Sequence, residues 1–195
     1  MTQELSRLSR ENSELRTQLD VAQKREAIDR RAHLQQRINT LSAIPKRIRI
    51  RERGKSTWDI EVETNLFKLF SMLAPEMMVE ISTVYAGKFL ATMLKPNQEL
   101  VISSNAPIAI NHVTMLFADL ASLDLVEPSK KKHPVADKDS YWSLTQEGVE
   151  VLKLDRATRL EVAAAKTVAI AQTSENKVAP LSKRVVSKKA SRSVT

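Results

Sequence analysis

Residues 2–42 contain neither glycine nor proline, and leucines recur among them with the spacing of a coiled coil. Over about three heptads, the a and d positions are held by Leu5, Leu8, Asn12, Leu15 and Leu19. This pattern predicts a long helix that self-associates, and a buried Asn at an a position favours a parallel, in-register dimer. The pattern fails at 24–33 and resumes in a shifted register at positions 34, 38 and 41. A helix that packs on its own domain is the alternative.

Two short stretches after Pro45 alternate strictly between apolar and charged residues, as β-strands with one buried face do. They cover 47–51 and 58–63, and a turn at 53–55 or 54–56 joins them as a hairpin. A three-residue turn places the apolar side chains on one face and the arginines opposite Asp59, Glu61 and Glu63. We interpret the arginines as a solvated strand face neutralised by its partner strand. A nucleic-acid patch is the alternative.

Three helices are expected next. The first begins at Thr64 or Asn65 and ends at Leu73, and the second covers 76–94. The third covers 106–123, carries an apolar stripe at helical spacing and has Ser104 or Asn105 as its N-cap. Four methionines are interpreted as adaptable core residues, with a partner-binding groove as the alternative: Met72, Met77, Met78 and Met93.

Two short strands flank a polar loop after the third helix. An apolar pair at 125–126 precedes the loop, which contains three consecutive lysines, and a second strand covers 141–144. Thr145 is then a suitable N-cap for a further helix. Helix, strand, polar tip, strand and helix is the order of a winged helix-turn-helix.

The predicted fold is therefore mainly α with a small β component (α+β). A coiled coil covers 1–43, a β-hairpin 44–63 and a winged-helix domain 64–160. The remaining residues, 161–195, are expected to form a helix extension and a disordered basic tail, because they are rich in Ser and Lys and poor in aromatic residues.

The formal net charge of +8 is unevenly distributed along the chain. Residues 1–43 and 44–63 each carry +2, residues 64–156 carry −2, and residues 157–195 carry +6. The candidate winged helix is thus mildly acidic, and most of the basic charge lies in the tail.

Several classes of function are disfavoured by composition. The chain has no cysteine, so disulfides and thiolate metal sites are excluded, and a reducing cytoplasm is the expected location. Its three glycines are isolated, which excludes a phosphate-cradling loop, and no apolar run approaches the ~18 residues of a membrane span. His33, His112 and His133 lie on three different predicted elements. We therefore expect no enzyme activity, metal, cofactor, small-molecule substrate or membrane partner.

Four segments carry a resemblance to known proteins: SRENSELRTQLD, NLFKLFSMLAPEM, LASLDLVEP and YWSLTQEGVEVL. In these segments, and over about residues 4–156, the chain resembles the C-terminal half of a family of uncharacterised bacterial proteins. In that family a TIR-like or nucleotide-handling domain precedes a short coiled coil, a strand pair and a small winged helix. The resemblance implies a bacterial origin and a link to defence or signalling. Because the effector domain is absent here and the basic tail is extra, no enzymatic role carries over.

Two binding functions fit these features. The first is a homodimeric protein–protein interaction or oligomerisation module, because residues 106–123 contain no Lys or Arg and the surrounding domain is acidic. The alternative is a DNA-binding transcriptional regulator that reads the major groove with Asn111, His112 and Thr114, with Asp119 repelling phosphate. Its phosphate contacts would come from the wing and the tail, through Lys130, Lys131, Lys132, Lys183, Arg184, Lys188, Lys189 and Arg192. The expected partners are therefore a second copy of the chain and either another protein or duplex DNA.

Overall fold

The structure is a computed structural model that describes residues 2–134 and 136–176. Its helices are α1 (Thr2–Ala43), α2 (Leu66–Leu73), α3 (Thr83–Leu94), α4 (Ile110–Ser122) and α5 (Gln146–Asn176), with a short 3₁₀ helix at Glu76–Met78. Its strands are β1 (Pro45–Ile50), β2 (Ile60–Asn65), β3 (Ile81–Ser82), β4 (Val126–Pro128) and β5 (Tyr141–Leu144). The fold is α+β, as predicted. The chain divides into two units at residues 156 and 157, and the described part of the second unit is the C-terminal part of α5.

Helix α1 behaves differently in its two halves. Leu34 and Leu41 are buried in the domain core, and Ile38 packs against it. The side chain of Arg30 holds this half against the start of α5, since its Nε donates to Glu150 at 2.7 Å. Continuation of the coiled coil in a shifted register is therefore wrong for residues 34–41, because their apolar side chains are already buried within the chain.

Strands β1 and β2 form the predicted hairpin in the register of a turn centred at 54–56. Arg47 lies opposite Glu63, and Arg49 lies opposite Glu61. Regular pairing ends at Ile50, so the connection is longer than three residues. The far edge of the hairpin is bonded to the segment before α4, where the Arg51 amide donates to the carbonyl of Pro107 at 2.8 Å.

The winged-helix core contains α2, α3, α4 and a three-stranded antiparallel sheet in the order β3-β5-β4. In this core, Phe117 of α4 stacks on Trp142 of β5 with ring centroids 5.1 Å apart. Asn65 caps α2, as one of the two predicted alternatives, and the Gly148 amide donates to the Thr145 hydroxyl at the start of α5. α5 extends to Asn176, well past residue 160, after which the predicted helix extension begins.

Three predicted features of this domain are wrong. The second helix is divided by β3, because residues 81–82 pair with 141–142 and Ser82 then caps α3. α4 begins at Ile110 rather than 106, because the preceding segment pairs with the hairpin, and its N-cap is Ala109 rather than Ser104 or Asn105. Of the four methionines, Met77 is buried and Met72 packs on the core, whereas Met78 and Met93 are more than half exposed.

Candidate binding surface

The outward face of α4, where a winged helix would read DNA, carries no Lys or Arg. Val113, Leu116, Phe117 and Leu120 face the core. Asn111, Thr114 and Met115 are exposed, and Met115 retains 63% of its surface. The Thr114 hydroxyl donates to the carbonyl of Ile110 at 3.0 Å, so its hydrogen is already used within the helix. Of the predicted reading residues, Asn111 has the freest polar group.

His112 lies on the flank of α4 rather than on its exposed face. It is half-buried, and it lines a cleft that also contains Ile48 of β1 and Leu116. Its Nδ1 atom is buried, and no residue of the described ranges forms a hydrogen bond with it. The structure therefore places His112 in the contact between α4 and the hairpin.

The acidic residue of α4 is compensated by the hairpin. Lys46 Nζ lies 2.6 Å from Asp119 Oδ2, and both side chains are partly exposed. Asp119 should therefore repel phosphate less than the sequence alone indicates, because the ammonium group of Lys46 neutralises its carboxylate. The sequence pattern did not associate these two residues.

The hairpin arginines are paired across the two strands. Arg49 Nε lies 3.2 Å from Glu61 Oε2, and Arg47 Nε lies 3.5 Å from Glu63 Oε1. All four side chains are exposed, so each pair contributes on the order of 0–1 kcal/mol. These contacts fit the neutralised strand face better than a nucleic-acid patch.

The wing is the loop at 129–140 between β4 and β5, and two of its three consecutive lysines have acidic partners. Lys130 Nζ lies 2.9 Å from Glu127, and Lys131 Nζ lies 3.7 Å from Glu80. Lys132 is exposed, and within residues 2–134 and 136–176 no carboxylate lies at ion-pair distance from it. The three lysines are therefore not equivalent.

A compact polar cluster orders the rest of the wing. The His133 ring stacks on Tyr141 with centroids 3.7 Å apart, and the Tyr141 hydroxyl donates to Asp137 at 2.7 Å. This hydrogen bond raises the pKa of Tyr141 to about 12 and lowers the pKa of Asp137. The pKa of Glu80 is lowered as well, chiefly by the hydrogen bond it accepts from the Ser129 hydroxyl.

The first part of α1 carries the predicted oligomerisation residues on an uncovered surface. Leu8, Leu15 and Leu19 are 51%, 58% and 57% exposed, and Asn12 is exposed between them. Leu5 lies on the same helix, but its side chain is outside the described set. The tail residues expected to contact phosphate, which are Lys183, Arg184, Lys188, Lys189 and Arg192, also lie outside the described residues.

Sequence reasoning did not identify Glu80 or Lys46 as part of this surface. Each contacts a residue far along the chain, Ser129 and Asp119 respectively, and no local spacing indicates such a pair. Trp58 was also missed as a support for the loop before α4. Its indole N–H donates to the carbonyl of Ala106 at 3.2 Å.

Across residues 2–134 and 136–176, no group of three or more acidic, His or Cys side chains is arranged to hold a metal ion. In the same ranges, none of the helices combines the length and apolarity needed to cross a bilayer.

No protein-family model matches this sequence, and no curated protein matches it either. Similar solved structures include a PadR family transcriptional regulator from Eggerthella lenta, at 18% identity and a TM-score of 0.32, covering 58% of this chain and 84% of that one. Two mutants of Lactococcus lactis ZitR match at 24% and 19% identity, with TM-scores of 0.32 and 0.34. They cover 65% and 78% of this chain and 68% and 82% of theirs. At these TM-scores the likenesses carry no argument about function, and membership of the bacterial family described above stays a prediction.

Proposed function

We propose that this chain is a non-enzymatic winged-helix binding module that self-associates through α1 and binds another protein through its folded body. The observation that carries the proposal is the surface of α4. Its exposed face carries no Lys or Arg, and the neighbouring cations Lys46, Arg47 and Arg49 each have a carboxylate partner within the chain.

Electrostatics favours a protein partner over duplex DNA. DNA affinity depends on Lys and Arg side chains that neutralise phosphates and release counterions. The exposed face of α4 has none, and residues 64–156 carry a net charge of −2. A body with this charge gains little from approaching a polyanion.

Apolar exposure supports the same conclusion. Ile110 and Met115 of α4 are 51% and 63% exposed, and Val84 and Tyr85 of α3 are 41% and 52% exposed. Ile110 and Val84 line one cleft between the two helices. Exposed apolar residues that share a surface are typical of protein-binding sites, whereas single exposed apolar residues are common on any protein.

The connection between α3 and α4 also differs from that of a DNA-binding helix-turn-helix. Such a motif joins its two helices by about 3–4 residues. Here the 15 residues 95–109 separate Leu94 from Ile110, and they are bonded to the hairpin. Helix α4 therefore follows a long segment that is bonded to the hairpin, whereas in a DNA-binding helix-turn-helix it would follow a short turn.

Self-association is proposed from the exposed seam of α1. Three leucines at a and d positions are uncovered in the single chain, and burying them against a second copy would remove apolar surface from water. Asn12 at an a position supports a parallel, in-register dimer. Two winged-helix bodies would then emerge from one end of the coiled coil.

Duplex DNA remains a second candidate because of two specific observations. Asn111 is exposed at the position from which an amide can contact adenine, and Lys132 is exposed on the wing. The basic tail residues would add salt-dependent affinity if they contact phosphate. Under this candidate the chain would act as a transcriptional regulator, and the bacterial family named above would supply its biological setting.

The two candidates are separated by paired variants of the full chain. Lys130→Ala/Lys131→Ala/Lys132→Ala should leave protein binding intact, whereas Met115→Glu should abolish it by placing a charge on the apolar face of α4. The partner is captured from source cells with wild-type chain and each variant as bait, and duplex DNA affinity is measured in parallel. Loss of DNA binding in the triple variant, together with a partner that is insensitive to Met115→Glu, would favour the regulator.

A further inference from the structure

The carboxylate of Glu80 faces three polar groups of the wing, and it accepts a hydrogen bond from one of them, whereas the buried His133 Nε2 has no hydrogen-bond partner among the described residues. The Ser129 hydroxyl donates to Glu80 Oε2, Lys131 Nζ lies 3.7 Å from Oε1, and His133 Nε2 lies 3.4 Å from Oε2. The Glu80 side chain is only 16% exposed, although it lies in the connection between the 3₁₀ helix and β3. The wing is thus folded back onto an acidic residue of the body.

Stacking on Tyr141 fixes the position of His133 in this contact. Its ring stacks nearly parallel on Tyr141, with 7° between the planes, and β5 holds Tyr141 in the sheet. Asp137 accepts the hydrogen bond of the Tyr141 hydroxyl and so helps to fix the ring on which His133 stacks. The polar groups of Ser129, Lys131 and His133 therefore converge on the Glu80 carboxylate.

A hydroxyl, an ammonium group and an imidazole N–H are the kinds of donor that bind phosphate oxygens. We propose that Ser129, Lys131 and His133 form a latent site for a phosphate of duplex DNA, and that Glu80 occupies it as an autoinhibitory carboxylate. The proposal deepens the second candidate above and rests on it. It also explains how a wing with three consecutive lysines can belong to a body that DNA does not attract.

The proposal predicts an increase in affinity when one charge is removed. Glu80→Gln keeps an oxygen that can accept from Ser129, but it no longer attracts Lys131 or competes with phosphate. Because the Lys131–Glu80 contact is long, at 3.7 Å, and Lys131 is exposed, the pair contributes little, and duplex DNA affinity of the full chain at low salt should rise about two- to fivefold. The salt dependence should steepen by about 0.9, because the variant neutralises one more phosphate than the wild-type chain does.

Glu76→Gln is the matched control. It changes the charge by the same amount, and Glu76 is exposed on the 3₁₀ helix four residues before Glu80. Affinity for a random-sequence duplex is measured for wild type and both variants over a range of salt concentrations. A larger rise for Glu80→Gln than for Glu76→Gln supports the proposal, and equal rises or no rise would overturn it.

Comparison of Lys131→Ala with Lys132→Ala in the wild-type chain is a test that does not depend on the Glu80 variant being well folded. With Glu80 present, Lys131 is paired with the Glu80 carboxylate, so Lys131→Ala should change DNA affinity less than Lys132→Ala does. In the Glu80→Gln background, Lys131→Ala should cancel the increase in affinity. Equal losses from Lys131→Ala and Lys132→Ala in the wild-type chain would contradict the inhibitory contact.

The outcomes also separate this proposal from the function proposed above. If Glu80→Gln and Glu76→Gln behave alike while the wild-type body binds DNA strongly, both the inhibitory contact and the protein-binding proposal fail. If they behave alike and the body binds a protein partner, only the inhibitory contact fails.

Discussion

Substitution of Leu15 tests the self-association of α1 with a magnitude that follows from its exposure. Leu15 is 58% exposed in the single chain. Full burial of a leucine contributes about 1.5–3 kcal/mol, so covering this fraction contributes about 0.9–1.7 kcal/mol per helix. A symmetric dimer contains two such residues, and alanine retains about one quarter of the side-chain carbon atoms. Leu15→Ala should therefore weaken the dimer by about 1.3–2.6 kcal/mol, or about 10- to 80-fold in dissociation constant.

Sedimentation equilibrium over a concentration series measures this change directly. Ile28→Ala is the control, because Ile28 is 68% exposed but lies outside the a and d positions. Alanine favours the helix at both sites, so a loss of helix does not account for weaker association. Equal dissociation constants for the two variants, or a wild-type chain that is monomeric at every concentration, would refute the assignment of the seam.

Three further predictions concern the coil, the core and the wing. Asn12→Leu should change the oligomeric state or the stability of the coil, and an unchanged mass and melting curve would count against the buried Asn. Gly148→Ala would place a Cβ well inside van der Waals contact of the Leu125 carbonyl oxygen, so the free energy of unfolding in urea should fall by about 1–3 kcal/mol; an unchanged midpoint would contradict this close approach. Asp137→Asn should lower the pKa of Tyr141 from about 12 towards its ordinary value of 10.0 in an absorbance titration, and a titration near 12 in the variant would remove Asp137 as the cause.

The raised pKa of Tyr141 also determines how the stability of the fold changes with pH. The folded-state value lies above the unfolded one, so the contribution of the hydrogen bond is fully present below pH 10 and is lost as the pH rises through about 12. Glu80 has the opposite dependence. Its folded pKa is lowered from 4.5, so its contribution is present above that value and is lost as the pH falls through the folded pKa.

Local patterns predicted the elements whose partners are near in sequence. Alternation limits the hairpin register, because Ile48 and Ile50 share a face with the other apolar residues only when each arginine of β1 lies opposite an acidic residue, and the structure has Arg49 opposite Glu61. β5 and the N-cap of α5 at Thr145 were likewise visible in a few consecutive residues. The long α1 helix follows from the absence of helix-breaking residues.

The missed features depend on contacts between distant residues. Residues 81–82 become a strand only because β5 lies beside them, and nothing in their own pattern requires it. Pro107 and Ile108 suited a helix start, but pairing of Ile108 with Ile50 holds them outside α4. The lysines of the wing were evident from sequence, whereas the contact of Lys131 with Glu80 required the wing to fold back.

The role of the folded body is tested by measuring duplex DNA binding of the full chain and of a chain ending at Asn176, each at low and moderate salt. We expect salt-dependent binding in the full chain and its loss in the shorter one, because the α4 face lacks cations and residues 177–195 carry +6 of the net charge of +8. If the shorter chain keeps salt-dependent affinity, the winged helix itself contacts DNA, and the proposal that its body binds protein rather than DNA is wrong.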